Sequence, residues 1–130
     1  MVKKIDRHRF VDKTRVRAAI ETAERETSAP IYVSIAPYFW GDVRRTAERA
    51  FRKHGLGKAP QHNAVLFFVV PSRRQFAIIG GAGAHEAVGQ ALWDSTAALL
   101  QDHFGRDDAT AGLVAGIEAI GRALAARFPL

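Results

Sequence analysis

Residues Ala64-Val65-Leu66-Phe67-Phe68-Val69-Val70 form an unbroken apolar run between Asn63 and Pro71. A run this short, rich in valine and phenylalanine and closed by turn formers, predicts a strand buried on both faces. Such a strand needs a hydrogen-bonding neighbour on each side and a covering layer above and below. Pro71-Ser72-Arg73-Arg74 leads straight into a second strand, Gln75–Ile79. Four residues are too few for a crossover, so this pair is an antiparallel hairpin. A glycine-rich turn, Gly80-Gly81-Ala82-Gly83, follows, and helical spacing then dominates.

Upstream, residues 1–12 read as a basic leader and residues 13–130 as one α/β domain. Asp12 is placed to cap a helix over Lys13–Thr27, with Val16, Ala19, Ile20 and Ala23 at helical spacing. Ser28-Ala29-Pro30 stops it, and residues 31–36 alternate as a strand. A second helix over Trp40–His54 turns Val43, Ala47, Ala50 and Phe51 inward, and Gly55 is its left-handed cap. Strand, helix and strand in this order imply a right-handed crossover between parallel strands. The sheet is therefore expected to be small and mixed, flanked by about four helices. The later two are expected at Gln90–Phe104 and, capped by Asp107 or Asp108, through Leu113, Ile117, Ile120, Leu124 and Phe128.

The chain has 130 residues and no cysteine, which excludes disulfides, thiolate metal sites and a cysteine nucleophile. No stretch reads as the ~20 apolar residues that span a bilayer, and the charged start has no apolar segment of an export signal behind it. The expectation is a cytoplasmic protein without a transmembrane segment. Residues 1–58 hold 14 Lys/Arg and 7 Asp/Glu, or +7, and residues 59–130 hold 5 and 6, or −1, which together give the net +6. That asymmetry is compatible with an anionic partner or surface, but two solvated helix faces kept soluble by arginine account for it better.

The chain resembles the TPM domain family, named for a thylakoid lumen protein, a photosystem II repair protein and a MOLO-type receptor auxiliary protein. Val16–Glu24 running into the first strand carries part of the likeness. His62-Asn63-Ala64-Val65-Leu66, Ile79-Gly80-Gly81-Ala82-Gly83 and Val88-Gly89-Gln90-Ala91-Leu92-Trp93 carry more, as do Gly116–Ile120 and the closing Arg127-Phe128-Pro129. The resemblance implies a three-layer α/β/α sandwich. It further implies one of several roles: acid phosphatase, assembly or repair factor, or binder of a divalent cation such as calcium. Ala64 stands where the family usually has glycine, and His62 where an asparagine or acid is common. Glu86 lies one position later than the family's glutamate. Asp107-Asp108 corresponds to the acidic loop before the final helix.

Calcium takes six to eight oxygen ligands, for which the candidates are Asp107 and Asp108, with Asp42, Glu86 and Asn63. Helix capping accounts for Asp107 and Asp108 without any metal. His62 and Glu86 form the candidate catalytic pair, and His62 or His85 could attack a phosphoester or donate a proton. Free N–H groups at Gly80, Gly81 and Gly83 would suit a phosphate, or the glycines simply reverse the chain. Arg45, Arg49 and Arg52 make a basic stripe without interleaved aromatics, which argues against specific nucleic-acid binding. Tyr38-Phe39-Trp40 are either a contact site or a cover for the sheet end. These features favour a non-catalytic interaction or assembly module that binds a protein partner or itself through Tyr38–Trp40 and the basic helix. The alternative is an acid phosphatase of low efficiency, dependent on a divalent cation.

Overall fold

A computed structural model describes residues 11–36 and 39–130; the first ten residues of the expected leader lie outside them. The elements run α1 (Lys13–Glu24), β1 (Ile31–Ile35), α2 (Val43–Lys53), β2 (Val65–Val70), β3 (Gln75–Gly80), α3 (Ala82–Val88), α4 (Gln90–Gly105) and α5 (Ala109–Arg127). The sheet order is β1-β2-β3. β1 lies parallel to β2, with Ile31 beside Val65 and Ile35 beside Val69. β3 returns antiparallel, with Gly80 opposite Val65 and Gln75 opposite Val70. The apolar run is thus the middle strand, and all six of its residues are buried.

Alternation along β2 divides the interior into two cores. Leu66, Phe68 and Val70 face α2 and meet Ala47, Phe51 and Ala77. Val65, Phe67 and Val69 face the other way, onto Val16, Ala19, Trp93, Leu100, Phe104 and the apolar ridge of α5. The result is an α/β/α sandwich with α2 alone on one side. Val43 and Ala50 pack part-buried against the α2 core, as their spacing predicted. Among the described residues there are five helices rather than about four. Ala82–Val88 coils on its own, and Gly89, at φ +82°, separates it from α4.

Local chemistry sets the ends of these elements. Asp12 accepts hydrogen bonds from the Thr14 and Arg15 amides, both at 3.1 Å, and so starts α1. That helix stops at Glu24, short of Thr27, because Thr27 has a distant partner. Its hydroxyl donates to the Phe128 carbonyl at 2.6 Å, and its backbone bridges to Pro129. α2 starts at Val43 rather than Trp40 because Asp42 accepts from the Arg45 amide at 2.7 Å. Gly55 takes the left-handed conformation, φ +70°, that ends this helix.

α5 is the one helix among the described residues that is long and apolar enough to cross a membrane by length and composition. Its apolarity has a use inside the fold: Leu113, Ile117, Ile120 and Leu124 are fully buried. Its glycines mark close approach to neighbours. A Cβ on Gly116 would lie 2.7 Å from Leu100 and 3.3 Å from Phe67, whereas one on Gly105, at the end of α4, would meet nothing within 4 Å. Gly116→Ala is therefore expected to lower stability by about 1–3 kcal/mol through overpacking, despite alanine's helix preference. Gly105→Ala has only that preference to express, so it should be neutral or gain up to ~1 kcal/mol. Urea unfolding of the two variants checks the contrast.

Candidate functional site

At the C-terminal ends of the parallel strands, the chain leaves β1 and turns into α2. The Ala36 amide still donates to Val69 at 2.9 Å. Tyr38 lies outside the described residues. Phe39 folds inward and meets Phe68 edge-on, with ring centroids 5.9 Å apart. Trp40 turns outward and is 85% exposed. The aromatic triplet is therefore divided, with Phe39 covering the sheet and Trp40 facing solvent.

The loop carrying Trp40 is held by Arg73 from the β2–β3 turn. One guanidinium nitrogen donates to the carbonyls of Phe39, at 3.1 Å, and Gly41, at 2.8 Å, the two residues flanking Trp40. Beyond Asp42, Arg45, Arg49 and Arg52 stand exposed on α2 while Ala47 and Phe51 are buried. Arg44 approaches Glu48 at 3.9 Å, a loose surface pair. An exposed indole thus precedes a row of guanidinium groups that runs along α2 from its first turn to its last. Sequence reading missed Arg73 because a turn arginine gives no sign that its partners lie more than thirty residues upstream.

Arg74 and Asp107 both adopt left-handed backbone, at φ +52° and +57°. Their side chains meet as a two-pronged pair at 2.9 and 3.2 Å, tying the hairpin turn to the loop before α5. The hydrogen bond to Asp107, and then its charge, raise the pKa of the Arg74 guanidinium. Asp108 occupies the N-cap position of α5 but makes no side-chain capping bond, contrary to expectation. Its carboxylate instead lies 3.9 Å from His103 Nδ1.

This donor set does not fit a resident calcium ion. Both Asp107 oxygens accept from Arg74, and Asp42 serves its own helix. Among the described residues no group of three or more His, Asp or Glu side chains could hold a metal. A dication that needs six or more oxygens finds no such set among the described residues.

The glycine turn also has a local purpose. The Gly83 and Ala84 amides donate to the His62 carbonyl at 2.8 and 3.2 Å, and the Gly81 amide donates to Ala64 at 3.0 Å. A Cβ on Gly81 would run into the His62 carbonyl, and one on Gly83 into that of Gln61. These glycines admit the chain entering β2, and three amides of the turn that would cradle a phosphate are already engaged. Gly80 is instead packed against Trp93, with 3.1 Å available for a Cβ. His62 is exposed at φ +51°. Glu86 is exposed and pairs with Arg127 at 3.4 Å. No hydrogen bond or ion pair among the described residues joins His62 to Glu86. His85 instead packs against Trp93, with ring centroids 4.9 Å apart and the planes tilted by 44°.

The family model of the TPM domain matches residues 9–123. The solution structure of the BA42 protein from the psychrophilic bacterium Bizionia argentinensis is similar at a TM-score of 0.82 and 32% identity, covering 98% of this chain and 89% of that one. The N-terminal domain of the cg2496 protein from Corynebacterium glutamicum gives a TM-score of 0.66 at 22% identity, covering 84% of this chain and 68% of that one. An N-terminal domain from P. gingivalis gives 0.75 at 17% identity, covering 91% and 78%. These last two likenesses speak to the fold alone. No curated protein matches the chain.

Because a methyl group on Gly83 would strike backbone rather than a movable side chain, Gly83→Ala should destabilise the fold by about 2–3 kcal/mol. His62→Ala removes only an exposed side chain and should shift stability by less than ~0.5 kcal/mol. Thermal unfolding of the two variants tests the difference.

Proposed function

The chain belongs to the TPM domain family, and we propose that it serves within that family as a non-catalytic module that binds a protein partner. The observation that carries this reading is Trp40, 85% exposed on a loop whose backbone Arg73 holds in place. Large aromatics dominate interface energetics because they bury much area at little entropic cost. A backbone held before binding also has less freedom to lose on association. Arg45, Arg49 and Arg52, exposed along α2 beyond the Trp40 loop, supply charge that would draw an acidic partner and speed the encounter.

The hydrolytic alternative has less support. It would place His62 and Glu86 in one site, yet Glu86 pairs with Arg127. It would use the amides of Gly81 and Gly83 for phosphate, yet these bind carbonyls of the chain entering β2.

Pull-down from the native cell extract, with Trp40→Ala as control, tests the binding reading. The wild-type chain should retain a partner. Trp40→Ala should weaken that association by about 2 kcal/mol or more and leave the melting temperature unchanged. Equal retention by both proteins would overturn the assignment of Trp40. Turnover of p-nitrophenyl phosphate above background, lost in His62→Ala or Glu86→Gln, would overturn the non-catalytic reading.

A further inference from the structure

β3 is an edge strand, and among the described residues no strand lies along its outer side. The Gly81 amide bonds to Ala64, which makes positions 81, 79, 77 and 75 the ones that face β2 in this antiparallel register. Phe76, Ile78 and Gly80 therefore point their backbone N–H and C=O groups outward. No hydrogen bond among the described residues reaches these groups. Edge strands are commonly protected by proline, lysine or a bulge. Between Gln75 and Gly80 this one has no proline, no charged residue and an unbroken register.

A trough follows that edge between α2 and α4. Its first part, about 520 Å³, is lined by Arg44, Arg73, Arg74 and Phe76, with Asp42 as the single carboxylate. Its second part, about 380 Å³, continues past Ile78 to Trp93 and shares Arg44 and Phe76 with the first. The Asp42 carboxylate is committed to the Arg45 amide. Among the described residues Arg44 makes a loose contact with Glu48 at 3.9 Å. The trough therefore presents hydrogen-bonding backbone and half-buried apolar side chains along one line, with its positive charge gathered in the first part at Arg44 and Arg73, because Arg74 is paired with Asp107 and the second part is lined by Asp94.

We propose that this trough takes an extended acidic segment of a partner protein, which adds to the sheet as a fourth strand beside β3. Main-chain hydrogen bonds to Phe76 and Ile78 would supply the affinity, as in other strand-addition complexes. Carboxylates facing Arg44 and Arg73 would select the partner by charge. The inference rests on the protein-binding reading above and deepens it by naming the partner's conformation and charge.

The test uses the 15N-labelled full chain and a capped heptapeptide, Glu-Glu-Val-Thr-Val-Thr-Val. Amide hydrogen exchange at Phe76 and Ile78 should slow at least about tenfold at saturating peptide, a difference that 1.4 kcal/mol of protection produces. Arg44→Glu, or a peptide with lysine for each glutamate, should weaken binding at least about tenfold. A peptide N-methylated at alternate residues along its sheet-facing edge should not protect these amides, and this control leaves the protein unaltered. Ile78→Pro removes an outward N–H without breaking the β2 ladder and should abolish binding while the β2 amides stay protected.

Unchanged exchange at Phe76 and Ile78, or equal binding by the methylated peptide, would overturn the proposal. So would protection of these amides in a dimer without peptide, detected by sedimentation. The two readings fail separately: Trp40→Ala that loses the extract partner yet keeps peptide protection removes neither. Peptide protection with equal retention by Trp40→Ala removes only the Trp40 surface.

Discussion

Burying all six residues of β2 is the constraint on which the rest of the molecule depends. A strand without a solvent face must place every backbone donor and acceptor on a neighbouring strand, because an unpaired buried peptide group costs about 1–3 kcal/mol. Val65 donates to Pro30 and Val69 accepts from Ala36, so the odd positions serve the β1 side. The even positions serve β3. Side chains face the same demand in the perpendicular direction. Phe67 needs α4 and α5 over it, and Phe68 needs α2 and Phe39. Three strands between two helical layers are a small arrangement that meets both demands.

The parts of this plan governed by short-range pattern were legible in the sequence. The β2 run, the immediate hairpin, the inward positions of α2 and the left-handed Gly55 all follow from spacing and turn chemistry over a few residues. What could not be read depends on residues far apart in the chain. The end of α1 depends on Thr27 meeting Phe128, 101 positions away. The behaviour of Asp107 depends on Arg74, 33 positions upstream, so a plausible capping residue became half of an ion pair. The same holds at Phe39 and Trp40. They are adjacent aromatics of similar hydrophobicity, and only the position of Phe68 decides which of them turns inward.

The candidate site reflects this division of labour. The glycine turn after β3 looked chemical in the sequence, but its engaged amides serve the chain entering β2. The β1–α2 loop looked ambiguous, and there the structure leaves a large indole in solvent on a backbone secured by Arg73. Polar groups that might have formed a reactive cluster are instead spread over the surface in pairs: Arg74 with Asp107, Arg127 with Glu86, Arg106 with Asp102. Such pairs stabilise little individually, but they hold Asp102, Asp107 and Glu86 on separate arginines.

The clasp between Thr27 and the Phe128–Pro129 ending also bears on the order in which the molecule is made. β2 leaves the ribosome well before α5, the helix that supplies much of the cover for Phe67. Until that cover arrives, the nascent polypeptide carries a hexapeptide of valine, leucine and phenylalanine with no Pro, Gly or charge, the composition most prone to stack with other copies. Closure through the Thr27 hydroxyl then comes last, when residues from the two ends of the fold finally touch. A topology that is sealed by its last helix leaves β2 uncovered until that helix has been made, and makes the growing chain a natural client for chaperones.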